Sequence, residues 1–206
     1  MSPKVTESYK ADLRGRILQA AVECISKAGY DRTRMDNIAD AASISKGTIY
    51  LYFRSKEDLF NSLCQNSVDR VRMNLSEVFA SEGSLTDKVS ILYNKLREAD
   101  AGSEALYLEM TAESTRNKRL KKILVLSQEA LHKVVTEFLN DLFKRGLLIK
   151  GINLDALAAG YIALYNGLTM NAALGVPDLV IKNAWDETTR AIIESTGSAI
   201  KRSIRA

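Results

Sequence analysis

Side chains able to do covalent or metal chemistry are scarce in this sequence. Its only histidine is His132, and its two cysteines, Cys24 and Cys64, lie far apart with no Cys-x-x-Cys spacing and no Cys/His company. That pattern excludes zinc fingers, His-based triads and disulfide frameworks together. An enzyme would also need an acid, a base or a nucleophile converging on one place, and the residues offer no such constellation. Hydrogen-bonding and cationic groups are instead concentrated between Arg32 and Lys56. There Arg32, Arg34, Lys46, Arg54 and Lys56 face only Asp36 and Asp40, an excess of three positive charges, whereas residues 1 to 70 as a whole carry an excess of two. Ser45, Lys46, Thr48, Tyr50 and Tyr52 lie inside this stretch. Such side chains suit the base edges and phosphates of a nucleic acid.

Positioning them takes a frame, and the frame reads as all-α. The two prolines, Pro3 and Pro177, leave the interior free of the strongest helix breaker, and no Asn-Gly or Asp-Gly turn sits between alternating apolar residues. Apolar residues recur instead at three and four. Ile17, Leu18, Ala21, Val22, Ile25 and Ala28 form a first helical stripe that stops at Gly29, a residue suited to a left-handed C′ position. Thr33-Arg34-Met35-Asp36 matches a capping box opening a second helix to about Ala42, and Ser45 is the expected N-cap of a third over residues 46 to 53. Ser55-Lys56-Glu57-Asp58 is a second box, opening a long fourth helix. Ser84-Leu85-Thr86-Asp87 is a third box, opening a fifth. Residues 104 to 114, 118 to 145, 154 to 174 and 184 to 204 complete about nine helices, with Gly175 to Asn183 expected as a loop.

The composition agrees with this frame. Of 206 residues 46% are apolar and 26% charged, and 29 Lys and Arg oppose 25 Asp and Glu for a net charge of +4. These are the proportions of a soluble globular protein. No apolar run reaches the roughly 20 residues of a membrane span, and Met1 to Lys10 lacks a secretory core, so a cytoplasmic location and no membrane partner are expected. There are no internal repeats.

Residues 35 to 54 place Ile38, Ala39, Ala42, Ile44, Ile49 and Phe53 on one seam around a tight turn, and the small Ala39 allows two helices to cross closely. That is the packing of a helix-turn-helix, whose short second helix projects into a major groove. The projecting face would be Ser45, Lys46, Thr48, Tyr50 and Tyr52. At this point the chain resembles the TetR family of one-component transcriptional regulators. The likeness rests on Ile17-Leu18-x-Ala20-Ala21, Gly29-Tyr30-x-x-Thr33-x-Met35-x-x-Ile38-Ala39, and Ser45-Lys46-Gly47-Thr48-Ile49-Tyr50-x-Tyr52-Phe53-x-Ser55-Lys56-Glu57-x-Leu59-Phe60. It departs from the common pattern at Ser43, where glycine is frequent, and at Arg34, where a second threonine is frequent.

The resemblance implies an N-terminal three-helix DNA-binding domain over residues 1–60, with the helix-turn-helix at about 35–54. A larger effector-binding and dimerisation domain over 61–206 would follow. It implies that Thr33 and its neighbouring amides meet phosphate, as do Tyr50, Tyr52 and Lys56, while Ser45, Lys46, Gly47 and Thr48 enter the groove. Arg34, one of the departures, adds a cation at a helix start, which the helix dipole disfavours unless a phosphate lies nearby. Lys46 can donate to guanine O6 or N7, Thr48 can offer its hydroxyl or pack on a thymine methyl, and Gly47 lets the backbone approach. The bland alternatives are surface-to-core aromatics for Tyr50 and Tyr52 and a solvated face for Arg32 and Arg34. Cys24 is expected to be buried and inert, and His132 to serve solvent or packing.

For the C-terminal half the resemblance implies a four-helix dimer interface made by the last two helices, with Ala163, Gly167, Ile192, Ile193, Ala199 and Ile200 as candidates. A two-fold dimer would read a near-palindromic operator in double-stranded DNA. A small molecule would bind among the central helices, with Tyr93, Tyr107, Met110, Phe138, Tyr161 and Tyr165 as candidate lining; for each of these, core packing is the competing reading. An apolar or amphipathic effector, such as a fatty acyl compound or an aromatic drug, fits such residues. Neither a metal nor a cofactor is implied. The resulting expectation is a homodimeric repressor released from DNA by its effector. The alternative is a dimeric ligand-binding or protein-interaction module without sequence-specific DNA binding.

Overall fold

The computed structural model describes the backbone of residues 6–100, 103–148 and 151–203, and within those ranges the side chains as far as residue 195. Among the described residues there are nine helices and no strand: α1 (Glu7–Ala28), α2 (Met35–Ala41), α3 (Lys46–Tyr52), α4 (Lys56–Ala80), α5 (Leu85–Asp100), α6 (Glu104–Ser114), α7 (Lys118–Lys144), α8 (Leu154–Ala173) and α9 (Asp178–Ser203). No described helix is long and apolar enough to cross a membrane. The chain forms two compact units, Met1–Asn66 with Ala105–Val125, and Ser67–Glu104 with Leu126–Ala206.

In the first unit the expected seam is the core. Ile17, Ala21, Ile38, Ala39, Ile49 and Phe53 are all fully enclosed. Burying each of the large side chains contributes roughly 1.5–3 kcal/mol, which fixes α1, α2 and α3 around one another. A second cluster joins Ile25, Tyr30 and Phe60 to Leu106, Met110 and Leu120, so most of α6 and the start of α7 are built into this unit.

The turn between α2 and α3 is closed by backbone chemistry. Ser43 N–H donates to Asp40 O (3.0 Å) and Ile44 N–H to Ala39 O (3.0 Å), with Ser43 at φ 57°. This paired pattern is a Schellman motif with serine at the left-handed C′ position that glycine usually fills. Ser45 then caps α3 by accepting from Thr48 N–H at 3.1 Å.

At two of the boxes the serine caps its helix, but in neither does the aspartate carboxylate accept from the serine's own amide: Asp87 Oδ2 takes the Ser84 hydroxyl at 2.6 Å instead. Ser84 Oγ accepts from Asp87 N–H at 3.1 Å, and Ser55 Oγ accepts from Asp58 N–H at 3.1 Å while the Asp58 carboxylate reaches back to Arg54 N–H at 3.0 Å. The box at Thr33 does not form. The N-cap of α2 is Arg34, whose amide donates to Asn37 Oδ1 at 2.9 Å, and the Thr33 hydroxyl turns inward.

The second unit packs α5, α8 and α9 with the later turns of α4 and α7. Its centre is aromatic: Phe79 and Phe138 meet edge to face at 4.5 Å between centroids, and Trp185 stacks on Tyr93 at 5.1 Å. The buried indole N–H is satisfied by Val89 O at 3.2 Å, tying α9 to α5. Helix α9 starts at Asp178, so the loop expected to reach Asn183 ends at Pro177, whose carbonyl accepts from Val180 and Ile181 N–H. In that first turn Ile181 is buried while Leu179 and Val180 are exposed, so the apolar run has no inward period to announce a helix.

Candidate nucleic-acid interface

A projecting recognition helix needs three things: a fixed start, a firm anchor beneath and a bare, polar outer face. Ser45 supplies the start, and its hydroxyl also lies 2.8 Å from the Thr48 hydroxyl, so the two hydroxyls occupy one corner of α3. Ile49 and Phe53, both fully buried, supply the anchor. On the outer face Lys46, Gly47, Tyr50 and Leu51 are exposed, and a Cβ added to Gly47 would meet nothing closer than Ser45 Oγ at 3.8 Å. The backbone there is open to close approach. Tyr52 is only half exposed and packs against the core, so of the two tyrosines Tyr50 is the one presented outward.

Lys46 does not stand alone. Its ammonium is 2.5 Å from Asp36 Oδ2 of α2, and that hydrogen bond and charge hold its pKa above the ordinary lysine value. The pair is solvent-exposed, so it is a pre-aimed but exchangeable cation at the mouth of the helix-turn-helix.

One predicted phosphate contact is corrected. Thr33 is buried, with its hydroxyl donating to Gly29 O (2.8 Å) and Cys24 O (3.2 Å) and its amide bonded to Gly29 O and Tyr30 O. Neither group is left for a phosphate. Lys56 donates to Thr33 O at 2.9 Å and, at shorter range, to Tyr30 O, with its ammonium 3.9 Å from the centroid of the Tyr30 ring. Burial lowers its pKa from the usual lysine value. This lysine clamps the turn after α1. Arg34, by contrast, is exposed at the start of α2.

Sequence reasoning missed Arg14 and Arg16. Arg16 donates to Ala42 O at 2.9 Å, holding the carbonyl at the end of α2, and Arg14 donates to Ser62 Oγ at 2.8 Å while lying 4.6 Å over the Phe53 ring. Their only signal was a cation on each side of Gly15, between the buried apolar positions Leu13 and Ile17. Cys24 is half-buried, its thiol donating to Asn37 O at 3.7 Å and its pKa raised by burial, as an inert packed cysteine should be. His132 donates through Nε2 to Asp155 O at 3.1 Å.

The six pocket candidates separate. Tyr93, Phe138, Tyr161 and Tyr165 gather in the second unit, where Trp185, not foreseen, joins them. Burial pushes the Tyr161 phenol up to about 12, and the Tyr165 hydroxyl donates to Asp100 Oδ2 at 2.8 Å. Met110 is enclosed in the core of the first unit, and Tyr107 belongs to that unit too. Neither lies in the aromatic cluster, because α6 packs on α1 and α4. Of the dimer candidates Ala163 is exposed, and Gly167, Ile192 and Ile193 are half-buried, while the side chains of Ala199 and Ile200 lie outside the described residues. No group of three or more metal-ligating side chains occurs among the described residues.

A short capped helix presenting a lysine, hydroxyls and a tyrosine from a three-helix frame is the reading head of a helix-turn-helix DNA-binding protein. Comparison with known proteins makes this specific. Residues 17–63 match the family of bacterial regulatory proteins called tetR, and residues 94–196, half of the chain, match the C-terminal region of BetI-type transcriptional repressors. The fatty acid metabolism regulator protein of Bacillus subtilis is 28% identical over 70% of this chain and 71% of its own length. Among solved structures, Salmonella enterica GusR is 25% identical with a TM-score of 0.74, covering 93% of this chain and 97% of its own. Bacillus subtilis FadR, solved in complex with stearoyl-CoA, shares the fold at 21% identity and TM-score 0.69, covering 84% of this chain and 95% of its own. The chain belongs to the TetR family of bacterial transcriptional regulators. It is a DNA-binding regulator whose partners are operator DNA, a second copy of itself and a small-molecule effector.

Proposed function

We propose that the protein is a cytoplasmic, non-enzymatic repressor whose dimer reads a palindromic operator through α3 and leaves it when a long-chain acyl thioester binds the second half of the chain. The division of labour is a DNA-reading domain over 1–60 and an effector and dimer domain over 61–206. The observation that carries the DNA reading is the outer face of α3: Lys46, Thr48 and Tyr50 around an unobstructed Gly47, on a helix whose start and anchor are both fixed. Lys46 and Thr48 read bases, Gly47 admits the backbone, and Tyr50 and Arg34 meet phosphate.

Dimerisation is assigned to α8 and the start of α9. Ala156, Ala159, Gly160 and Ala163 are exposed at helical spacing, and a Cβ added to Gly160 or Gly167 would meet nothing within 4 Å among the described residues. Met170, Leu174, Leu179 and Val180 continue this surface as exposed apolar side chains. A stripe of small residues bordered by large apolar ones, unused within its own chain, suits a closely packed isologous interface.

The acyl thioester is supported by the name of the Bacillus subtilis relative, by the ligand of FadR and by the apolar and aromatic centre of the second unit. Repression is relieved only if the effector prefers the DNA-incompetent state. The test is titration of the protein–operator complex with stearoyl-CoA, followed by fluorescence anisotropy, with free coenzyme A as the control. Release by stearoyl-CoA alone is expected. An operator complex unaffected by saturating stearoyl-CoA would remove the acyl thioester from the proposal.

A further inference from the structure

From the geometry of α6 we infer that Glu109 is a positioning residue for DNA binding, acting through the turn that follows α1. This rests on the DNA-reading function proposed above and extends the reading head to a helix beyond residue 60. Glu109 Oε1 accepts a hydrogen bond from Tyr30 N–H at 3.1 Å. The carboxylate enters a gap made by Gly29: a Cβ built there would lie 2.9 Å from Glu109 Oε1. Gly29 also has φ 83°, a conformation other residues avoid. One glycine thus meets two needs, the end of α1 and the seat of an acid from α6.

The turn that Glu109 grips leads straight into the helix-turn-helix. Gly29 O and Cys24 O are held by the Thr33 hydroxyl, Tyr30 O and Thr33 O by the Lys56 ammonium, and Tyr30 N–H by Glu109. Every polar backbone group of Tyr30 is therefore fixed by a side chain from another helix. Thr33 is followed directly by Arg34, the N-cap of α2, and α2 sets α3 through the Schellman turn at Ser43. A charge-assisted hydrogen bond at the head of this sequence constrains everything after it. The packing agrees: Leu106 and Met110 of α6 share a buried cluster with Ile25, Tyr30 and Phe60.

The experiment compares wild type, Glu109→Ala and Glu109→Gln in the full-length protein. Gln retains a carbonyl oxygen able to accept from Tyr30 N–H. The palindrome selected by the wild-type protein serves as the DNA probe. Operator affinity is expected to weaken by up to about tenfold in Glu109→Ala, the limit reached if the whole worth of one hydrogen bond to a charged acceptor favours the DNA-competent arrangement, and by clearly less in Glu109→Gln, which keeps a weaker, neutral acceptor. The slope of affinity against salt should be unchanged in both, because Glu109 touches no phosphate. Exchange of the Tyr30 amide hydrogen, measured without DNA, should accelerate in Glu109→Ala and not in Glu109→Gln.

If Glu109→Ala fails to fold, Glu109→Asp, which keeps the charge but withdraws the oxygen by one methylene, takes its place with the same expected losses. Wild-type affinity and wild-type exchange in the Ala variant, or in the Asp variant that replaces it, would overturn the assignment. So would an equal loss in the Gln variant. If the wild type itself selects no DNA, the DNA reading fails, and with it the positioning role, whatever the amide exchange shows about the hydrogen bond.

Discussion

At the scale of single residues, the interface divides into groups that are free to read DNA and groups already engaged in holding the reader. Lys46 belongs to the first class, with Asp36 as its resting partner. Lys46→Ala is expected to lower discrimination at one base pair of each half-site by roughly tenfold, measured as the ratio of affinities for the operator and for a duplex altered at that pair. Asp36→Asn, which removes a carboxylate from the same exposed corner, should tighten binding to all duplexes alike, by about threefold at low salt. Thr33 and Lys56 belong to the second class. Their partners are backbone carbonyls delivered by the fold, and no spacing in the sequence marks a carbonyl as a partner. For that reason the cap at Ser45 and the exposure of Lys46 and Gly47 were legible in advance, whereas the internal hydrogen bonds of Thr33, Lys56, Arg14 and Arg16 were not. Tyr30 supplies a further test. Its hydroxyl is buried with no hydrogen-bond partner among the described residues, and burial raises its pKa beyond the ordinary phenol value. Tyr30→Phe should therefore leave the unfolding free energy, read from chemical denaturation, unchanged or raise it by up to about 1 kcal/mol, without altering operator affinity.

At the scale of elements, most of the fold was readable because helix ends carry local chemistry. Ser45, Ser55 and Ser84 each cap the helix their spacing announced. The two failures have different causes. The Thr33 box lost its N-cap to tertiary hydrogen bonds, and the start of α9 was hidden because Leu179 and Val180 are apolar without being buried in their own chain. The most revealing element is the turn at Ser43, whose φ of 57° is one that glycine adopts freely and L residues other than asparagine and aspartate rarely do. Ser43→Gly should raise stability by up to about 1 kcal/mol, the relief of a left-handed residue less the extra freedom of the unfolded chain. Ser43→Val, β-branched, should lower it by about 1–2 kcal/mol or more and reduce DNA binding with it. Thermal unfolding of the two variants beside wild type checks both signs.

At the scale of the whole molecule, charge and apolar surface are unequally shared. The unit formed by residues 1–66 and 105–125 carries 15 Lys and Arg against 10 Asp and Glu, while the rest of the chain carries 14 against 15. The positive balance of the protein thus belongs to the unit that holds α3, which favours a polyanionic partner there. The exposed apolar surface of Leu174, Leu179 and Val180 belongs to the other unit. Leu179→Lys should convert the dimer to monomer in sedimentation and weaken operator binding by at least about tenfold, since a palindrome then loses its second reader.

The central claim, that α3 reads sequence in a two-fold DNA site, is tested most directly by selecting duplexes from a random-sequence pool with the purified protein at physiological salt. The winner is then titrated by anisotropy. The expected result is an enriched palindrome with half-sites about one helical turn (~34–36 Å) apart, bound by one dimer or a pair of dimers. Enrichment of no sequence, with affinity that depends on salt alone, would contradict it and leave the dimeric ligand-binding module without a DNA code as the better description.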